Sequence, residues 1–169
     1  MQGEQMHTRI LTPAAAALVA LMGSMMGPSA ALADASPLFK QLAGSWQGSG
    51  ELVLEDGTRD RLSCVGYYVL KSEGDGLSIV SRCSSANGKF ELRSLVAETA
   101  SGISGKWEER TYHATGDVSG KATGTTMNLA FTGTIEGTIA ISLTGKTHSV
   151  NVTAAGAGIK GVSISLTRS

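Results

Sequence analysis

From Gly44 to the C-terminus, hydrophobic and polar positions alternate, and no stretch sustains the 3.6-residue period of an amphipathic helix. Short runs rich in Val, Ile, Thr, Tyr and Phe are separated by Gly-bearing turns every 8 to 14 residues or about that, the pattern of an all-β chain. Gly44-Ser45-Trp46-Gln47-Gly48-Ser49-Gly50 opens the first strand with an aromatic anchor and then glycines at alternate positions. That suits a strand curling tightly around a closed interior. Alternation places Trp46, Gly48, Gly50, Leu52 and Leu54 on one face. A second strand, Thr58 to Leu70, sets Leu62, Cys64, Gly66, Tyr68 and Leu70 on one face and Val65, Tyr67 and Val69 on the other, so cover on both sides is expected.

A loop at Lys71–Gly76 leads to a third strand, Leu77 to Ser84, and Asn87-Gly88 marks a hairpin turn. The fourth strand, Lys89 to Glu98, groups Phe90, Leu92, Ser94 and Val96. In the fifth, Ile103 to Thr111, Ile103, Gly105, Trp107 and Glu109 share a face opposite Lys106, Glu108 and Arg110. Five further strands carry Val118, then Met127, Leu129 and Phe131, then Ile135 to Leu143, then Val150 and Val152, and finally Val162, Ile164 and Leu166. Before them all, one helical turn at Leu38–Leu42 puts Phe39 and Leu42 on one side, where they could plug a barrel end ahead of Trp46. The predicted fold is a small antiparallel up-and-down barrel of about 8–10 strands, because closure hides every strand edge. A sandwich is the alternative, but its crossover loops are longer than these turns.

The cysteines test the strand register. If Leu70 faces Leu77 across the loop, opposed residues have numbers summing to 147, and Cys64 and Cys83 obey the same sum. Opposed Cα atoms of an antiparallel pair lie roughly 4.5 or 5.5 Å apart, within reach of a disulfide. The expectation is a Cys64–Cys83 staple, with two buried free thiols as the alternative.

The first 33 residues are expected to be a cleaved signal peptide. Arg9 precedes an apolar run from Ile10 to Met26, and Ala31-Leu32-Ala33 supplies a small-x-small cleavage site before Asp34. Translation could equally begin at Met6. A retained membrane helix is the rival, although Pro13, Gly23 and Gly27 interrupt the run. The expected organisation is therefore 1–33 leader, 34–43 arm and helical turn, and 44–169 barrel, with no membrane anchor after processing. An even cysteine count agrees with export to the periplasm or beyond. The whole chain carries 14 basic and 14 acidic residues, and removing Arg9 and Glu4 with the leader keeps it neutral. Neutrality without a basic patch argues against nucleic acid as a partner.

Candidate chemistry is sparse. His113 and His148 stand alone in the sequence, are expected to be exposed loop residues, and suggest no metal site. No nucleophile elbow or Ser/His/Asp set emerges, so no enzyme is expected. Gly145-Lys146-Thr147 is a near miss to a phosphate-binding loop, with Ala140 at the first glycine position and no helix after it. Asn151-Val152-Thr153 matches a glycosylation sequon inside a strand. Glu109 is the odd residue, a carboxylate on the inward face of Trp107. It either stands at the barrel rim, pairs with an inward Arg such as Arg168, or addresses a ligand. An outer-membrane barrel is disfavoured by the charges on outward faces and the missing aromatic girdles.

Gly44-x-Trp46 after a short helical turn resembles the N-terminal signature of the lipocalin and wider calycin barrels. The longer Gly44-x-Trp46-x-Gly48-x-Gly50 resembles the nitrobindin branch of haem-binding ten-stranded barrels. The resemblance implies a basic residue from the last strand packing over the Trp. Arg168 stands at that position, so Trp46 and Arg168 are expected to form a structural latch. The resemblance also implies a haem-ligating His close to the C-terminus. Gly161, Val162 and Ser163 occupy that neighbourhood and no His follows His148, so no cofactor is expected. Small periplasmic metalloprotease inhibitors are similar in outline: exported, lipocalin-like and holding one disulfide.

The resulting expectation is an exported calycin-like barrel that binds a small apolar or amphipathic ligand. Its candidate lining is Trp46, Tyr68, Phe90, Trp107, Glu109, Met127 and Phe131. The alternative is an envelope protein-interaction module that acts through its loops or the 34–37 arm and has no ligand cavity.

Overall fold

Ten antiparallel strands close into a barrel, as seen in a computed structural model that describes residues 36–71, 76–156 and 158–169. The expected signal peptide and cleavage site, most of the Lys71–Gly76 loop, and Asp34 and Ala35 of the arm lie outside the described residues. The elements run α1 (Pro37–Leu42), β1 (Gly44–Leu54), β2 (Arg59–Leu70), β3 (Gly76–Ser84), β4 (Lys89–Thr99) and β5 (Gly102–Glu109). They continue with β6 (Ala114–Thr123), β7 (Thr126–Gly133), β8 (Glu136–Thr144), β9 (Thr147–Ala155) and β10 (Ile159–Arg168). Each strand pairs with its neighbours in the chain, and β1 pairs with β10 to complete the ring. Closure therefore leaves no sheet edge, which is the reason a chain of short alternating strands adopts it.

The β1 glycines make the curl possible. A Cβ on Gly48 or Gly50 would collide with the carbonyl oxygens of Ser165 and Ser163 on β10. Only a residue without a side chain lets the two backbones come this close while β1 bends.

Cys64 and Cys83 are opposed in the β2–β3 register and joined by a disulfide, with Cα atoms 4.2 Å apart. Both are buried on the inward face. The outward residues of β2 differ from expectation. Val65 is 37% exposed, Tyr67 46% and Val69 60%, so β2 is covered on its inner face alone. A barrel wall is one sheet thick, and nothing among the described residues lies across its outside there.

One end of the barrel is plugged. Pro37 sits at the first position of α1, where its missing N–H is harmless, and Leu38, Phe39 and Leu42 are buried to 1% exposure or less. Trp46, 1% exposed, donates its indole Nε1–H to the carbonyl of Leu42 at 2.8 Å. Arg168 stands opposite Trp46 in the β1–β10 register, its Cζ 4.3 Å from the ring centroid. The guanidinium donates to the carbonyls of Ala43, at 2.8 Å, and Gln41. It thus ties the end of α1 to the last strand. Gly44 completes the arrangement: its φ is +136°, and the guanidinium occupies the space a Cβ would need.

Candidate functional site

The plugged and unplugged ends differ in how well the interior is filled. Around α1, the inward side chains of Trp46, Leu77, Val96, Met127, Leu143 and Leu166 are all at most 4% exposed. Toward the opposite mouth, inward-facing Leu52, Leu92, Ile139, Val150, Val152 and Val162 are only partly buried, although they pack against the core. These six aliphatic side chains face inward yet retain surface, in the half of the barrel away from α1. A barrel of about eight strands is just filled by its side chains, and ten strands enclose more.

Glycines let the large rings lie against the barrel wall. Trp107 faces Gly116 in register, and a Cβ on that glycine would lie 2.7 Å from the indole nitrogen. Phe131 covers Gly137 in the same way, and Tyr68 lies over Gly66 on its own strand. Trp107 and Phe131 meet edge to face at 5.8 Å, and the Trp107 indole donates to the carbonyl of Thr132 at 3.1 Å. The rings thus lie along the wall instead of projecting into the lumen.

The seven residues expected to line a ligand site therefore separate by level. Phe90, Trp107 and Phe131 stand in the half away from α1, while Trp46, Tyr68 and Met127 belong to the packed end under it. Glu109 is at the mouth, and its oxygens are already engaged. Oε1 accepts from the backbone N–H groups of Glu91 at 3.1 Å and Thr111 at 3.0 Å, and Oε2 from that of Tyr112 at 2.7 Å. This fastens the turn between β5 and β6, where His113 adopts a φ of +58°. Glu109→Ala is expected to lower stability by about 2 kcal/mol and to speed amide exchange at Thr111 and Tyr112, measured by urea denaturation and hydrogen-exchange NMR. Unchanged exchange at both amides would show that the carboxylate does not hold the turn.

His148 is the residue that sequence reasoning misplaced. It is not exposed in a loop but fully buried on the inward face of β9, at 0% exposure. Val150 and Val152 share its parity, and strict alternation from them puts His148 inside. Its ring meets Trp46 edge-on at 4.5 Å and lies 5.4 Å from the ring of Tyr68. Neither Nδ1 nor Nε2 has a hydrogen-bond partner. Burial, assisted by the positive charge of Arg168, pushes the imidazole down to about 4, so it is neutral at pH 7. Burial likewise pushes the Tyr68 phenol up and keeps it protonated.

A pH dependence follows. Above about pH 6.5 the imidazole is neutral in both folded and unfolded chains, so it makes no difference to stability. Below that the unfolded chain takes up a proton that the folded barrel refuses until about pH 4. Stability is therefore lost as pH falls through this window, by on the order of 2 kcal/mol after allowance for screening. Thermal melts at pH 7 and pH 4.5 are expected to show a smaller drop for His148→Phe than for the wild type. Equal drops would place the acid sensitivity elsewhere.

Two shallow grooves lie outside the barrel. One is bordered by Arg93, Leu95, Lys106, Glu108 and Asp117. The other runs over a Ser, Thr, Asn and Ala surface that includes Asn128, Thr138, Asn151 and Thr153. Neither gathers buried polar groups at one point. Among the described residues no three His, Cys, Asp or Glu side chains gather as metal ligands. No helix there is long and apolar enough to cross a membrane.

With the closed ring, the capping turn and the Trp46–Arg168 pair in place, solved structures supply the comparison. The S-type phycobiliprotein lyase CPES from Guillardia theta superposes with a TM-score of 0.56 at 13% identity, over 78% of this chain and 90% of that one. Rv2717c from M. tuberculosis superposes with a TM-score of 0.57 at 14% identity, over 80% of this chain and 99% of that one. The fold is a lipocalin-like barrel. At such identities the likeness concerns the fold alone. No protein-family model matches the sequence, and no curated protein does. The interior is accordingly read from its own residues: an aliphatic and aromatic lining, with Tyr68 beside the buried His148 at the end under α1.

Proposed function

We propose that the protein is an exported small-molecule binder that holds one apolar or amphipathic ligand in a cup formed by the half of the barrel away from α1. The observation that carries this reading is the partial exposure of inward-facing Leu52, Leu92, Ile139, Val150, Val152 and Val162. Leaving such surface wet forfeits roughly 25 cal/mol per Å2, a cost that a bound apolar molecule recovers. One neighbour of the same fold is a lyase, so chemistry on a cup-bound ligand is compatible with the architecture. The binder reading rests on a wall of aliphatic and aromatic groups. Export is supported by the Cys64–Cys83 disulfide together with the apolar leader and its small-x-small site. The leader would be removed at Ala33, and Trp46 and Arg168 would serve the barrel's integrity and not its ligand.

Organic extraction of the denatured protein, purified from its exporting cell, is expected to release an apolar compound in near one-to-one amount. An empty extract, together with no saturable fluorescence rise on adding N-phenyl-1-naphthylamine, would sink the reading. A protein-interaction module is the second reading, favoured by the exposed Val65, Tyr67, Val69 and Leu95 on the outer faces of β2 and β4. Retention of a specific envelope partner that Tyr67→Ser releases would support it.

A further inference from the structure

The chain holds three asparagines, Asn87, Asn128 and Asn151, and their surroundings differ. Asn128 and Asn151 stand inside strands and precede branched residues, Leu129 and Val152, each paired in register on both sides. Asn87 is instead exposed in the β3–β4 turn and precedes Gly88. The Ser85 N–H closes that turn by donating to the Gly88 carbonyl at 2.8 Å, while the Gly88 N–H has no acceptor among the described residues. In the β1–β2 turn, by contrast, the Gly57 N–H after Asp56 donates to the Leu54 carbonyl at 3.0 Å, and the Asp56 carboxylate accepts from the Thr58 N–H at 2.8 Å. The Asn87 side chain reaches outside its own turn: Nδ2 donates to the carboxylate of Asp60, at the start of β2, at 3.0 Å. This bond clips the β3–β4 turn to β2, in the open where water competes for it.

We propose that Asn87 is a site of spontaneous self-modification, at which the side-chain amide is exchanged for a carboxylate and the clip to Asp60 is lost. Solvent base takes the proton of the unpaired Gly88 N–H, and the nitrogen attacks Cγ of Asn87. A bond forms between the Gly88 nitrogen and Cγ, the Cγ–Nδ2 bond breaks, and Nδ2 takes up a proton from water and leaves as ammonia. One water then opens the resulting five-membered succinimide at either carbonyl. Opening at Cγ gives aspartate, and opening at the main-chain carbonyl gives isoaspartate, whose backbone runs through the side chain. No electrons are transferred, and the sum is amide plus water giving acid plus ammonia. Gly88 is what selects this asparagine. Its nitrogen has no Cβ beside it to hinder the approach, and its N–H makes no hydrogen bond that the attack must break. Either product sets a carboxylate where Asp60 had a donor, and like charges at that range repel. The neutral chain also gains one negative charge.

The test is peptide mapping by mass spectrometry on the purified protein held at pH 6 and at pH 8.5, with ammonia release followed alongside. We expect aspartate and isoaspartate to accumulate at Asn87 at least tenfold faster than at Asn128 or Asn151. The rate should rise at pH 8.5, where the Gly88 nitrogen loses its proton more often. Gly88→Ala is expected to slow the conversion at least fivefold and still fold. An added Cβ there meets the Tyr112 hydroxyl at 3.8 Å, an ordinary contact, and the backbone φ is not positive. Asn87→Asp, the converted form made directly, should melt below the wild type. That gap should shrink by at least half in 0.5 M NaCl, as the like charges are screened. Conversion at Asn87 no faster than at the two strand asparagines, a rate unmoved by Gly88→Ala, or a rate that does not rise with pH would overturn the self-modification. An Asn87→Asp melt equal to that of the wild type would overturn the loss of the clip.

Discussion

Trp46→Ala is expected to lower the unfolding free energy by about 4 kcal/mol, the largest effect of any single truncation in the barrel. Three losses coincide at this position. The indole is 1% exposed, so its removal leaves a cavity between α1 and the barrel wall. The Leu42 carbonyl loses the indole N–H that it accepts at 2.8 Å. Arg168 loses the ring it covers, a contact of about 1 kcal/mol. Small domains are stable by about 5–15 kcal/mol, so the variant should be mostly folded but sharply weakened. Arg168→Ala should cost less, about 1–2 kcal/mol, because its guanidinium is exposed to solvent. Arg168→Lys should restore little, since a single ammonium cannot bridge the carbonyls of Gln41 and Ala43 as the forked guanidinium does. Urea denaturation checks the series. A Trp46→Ala midpoint unchanged from the wild type would show that α1 and the latch do not hold the end of the barrel.

Loss of the Cys64–Cys83 disulfide is expected to cost about 3 kcal/mol, on the chain-entropy model for a loop of this size. The paired Cys64→Ala and Cys83→Ala variant should lose slightly more than that, because both sulfurs are buried inside the barrel and two small cavities replace them. The native register should survive, since eight consecutive β2–β3 pairs from Ser63↔Ser84 to Leu70↔Leu77 hold it without the bond. Denaturation of the double variant tests the energy, and its backbone chemical shifts test the register. A wild-type midpoint would mean that the unfolded chain already keeps this hairpin closed.

Much of the barrel was legible because strand alternation is a strong constraint once one face must be buried. Cys64 and Cys83 fixed a hairpin register by arithmetic alone, and the observed pairing matches it residue for residue. Trp46 and Arg168 were expected to meet only through the resemblance to calycin barrels, and the β1–β10 register sets them opposite one another. Alternation gives the face of a residue, however, and not its level along the barrel axis. Trp46 and Met127 share the inward face with Trp107 and Phe131, but only the docking of α1 decides which of them are sealed away from the lumen. Val65, Tyr67 and Val69 read as a second buried face because apolar residues normally seek cover, but a single-layer wall has only one inside.

His148 was misplaced for a different reason. A histidine at a strand start with no second His, Cys or carboxylate at ligand spacing reads as an exposed residue without a role. Its parity with Val150 and Val152 carried the opposite message and deserved more weight. The unpaired imidazole that results could not have been seen in the sequence, because it depends on which side chains fail to reach it from other strands. Glu109 was recognised as anomalous but its partners were not: three backbone N–H groups from a turn and a neighbouring strand satisfy it, none of them visible in residue identities.

The central claim is that the open half of the barrel is a cup for an apolar body, and methyl NMR reads it directly. On titration with N-phenyl-1-naphthylamine, the methyl resonances of Leu52, Ile139, Val150, Val152 and Val162 are expected to shift together and saturate at one probe per chain. Those of Val65 and Val69 on the outer wall should stay in place. Shifts confined to the outer methyls, with the inward set unmoved at saturation, would contradict the account.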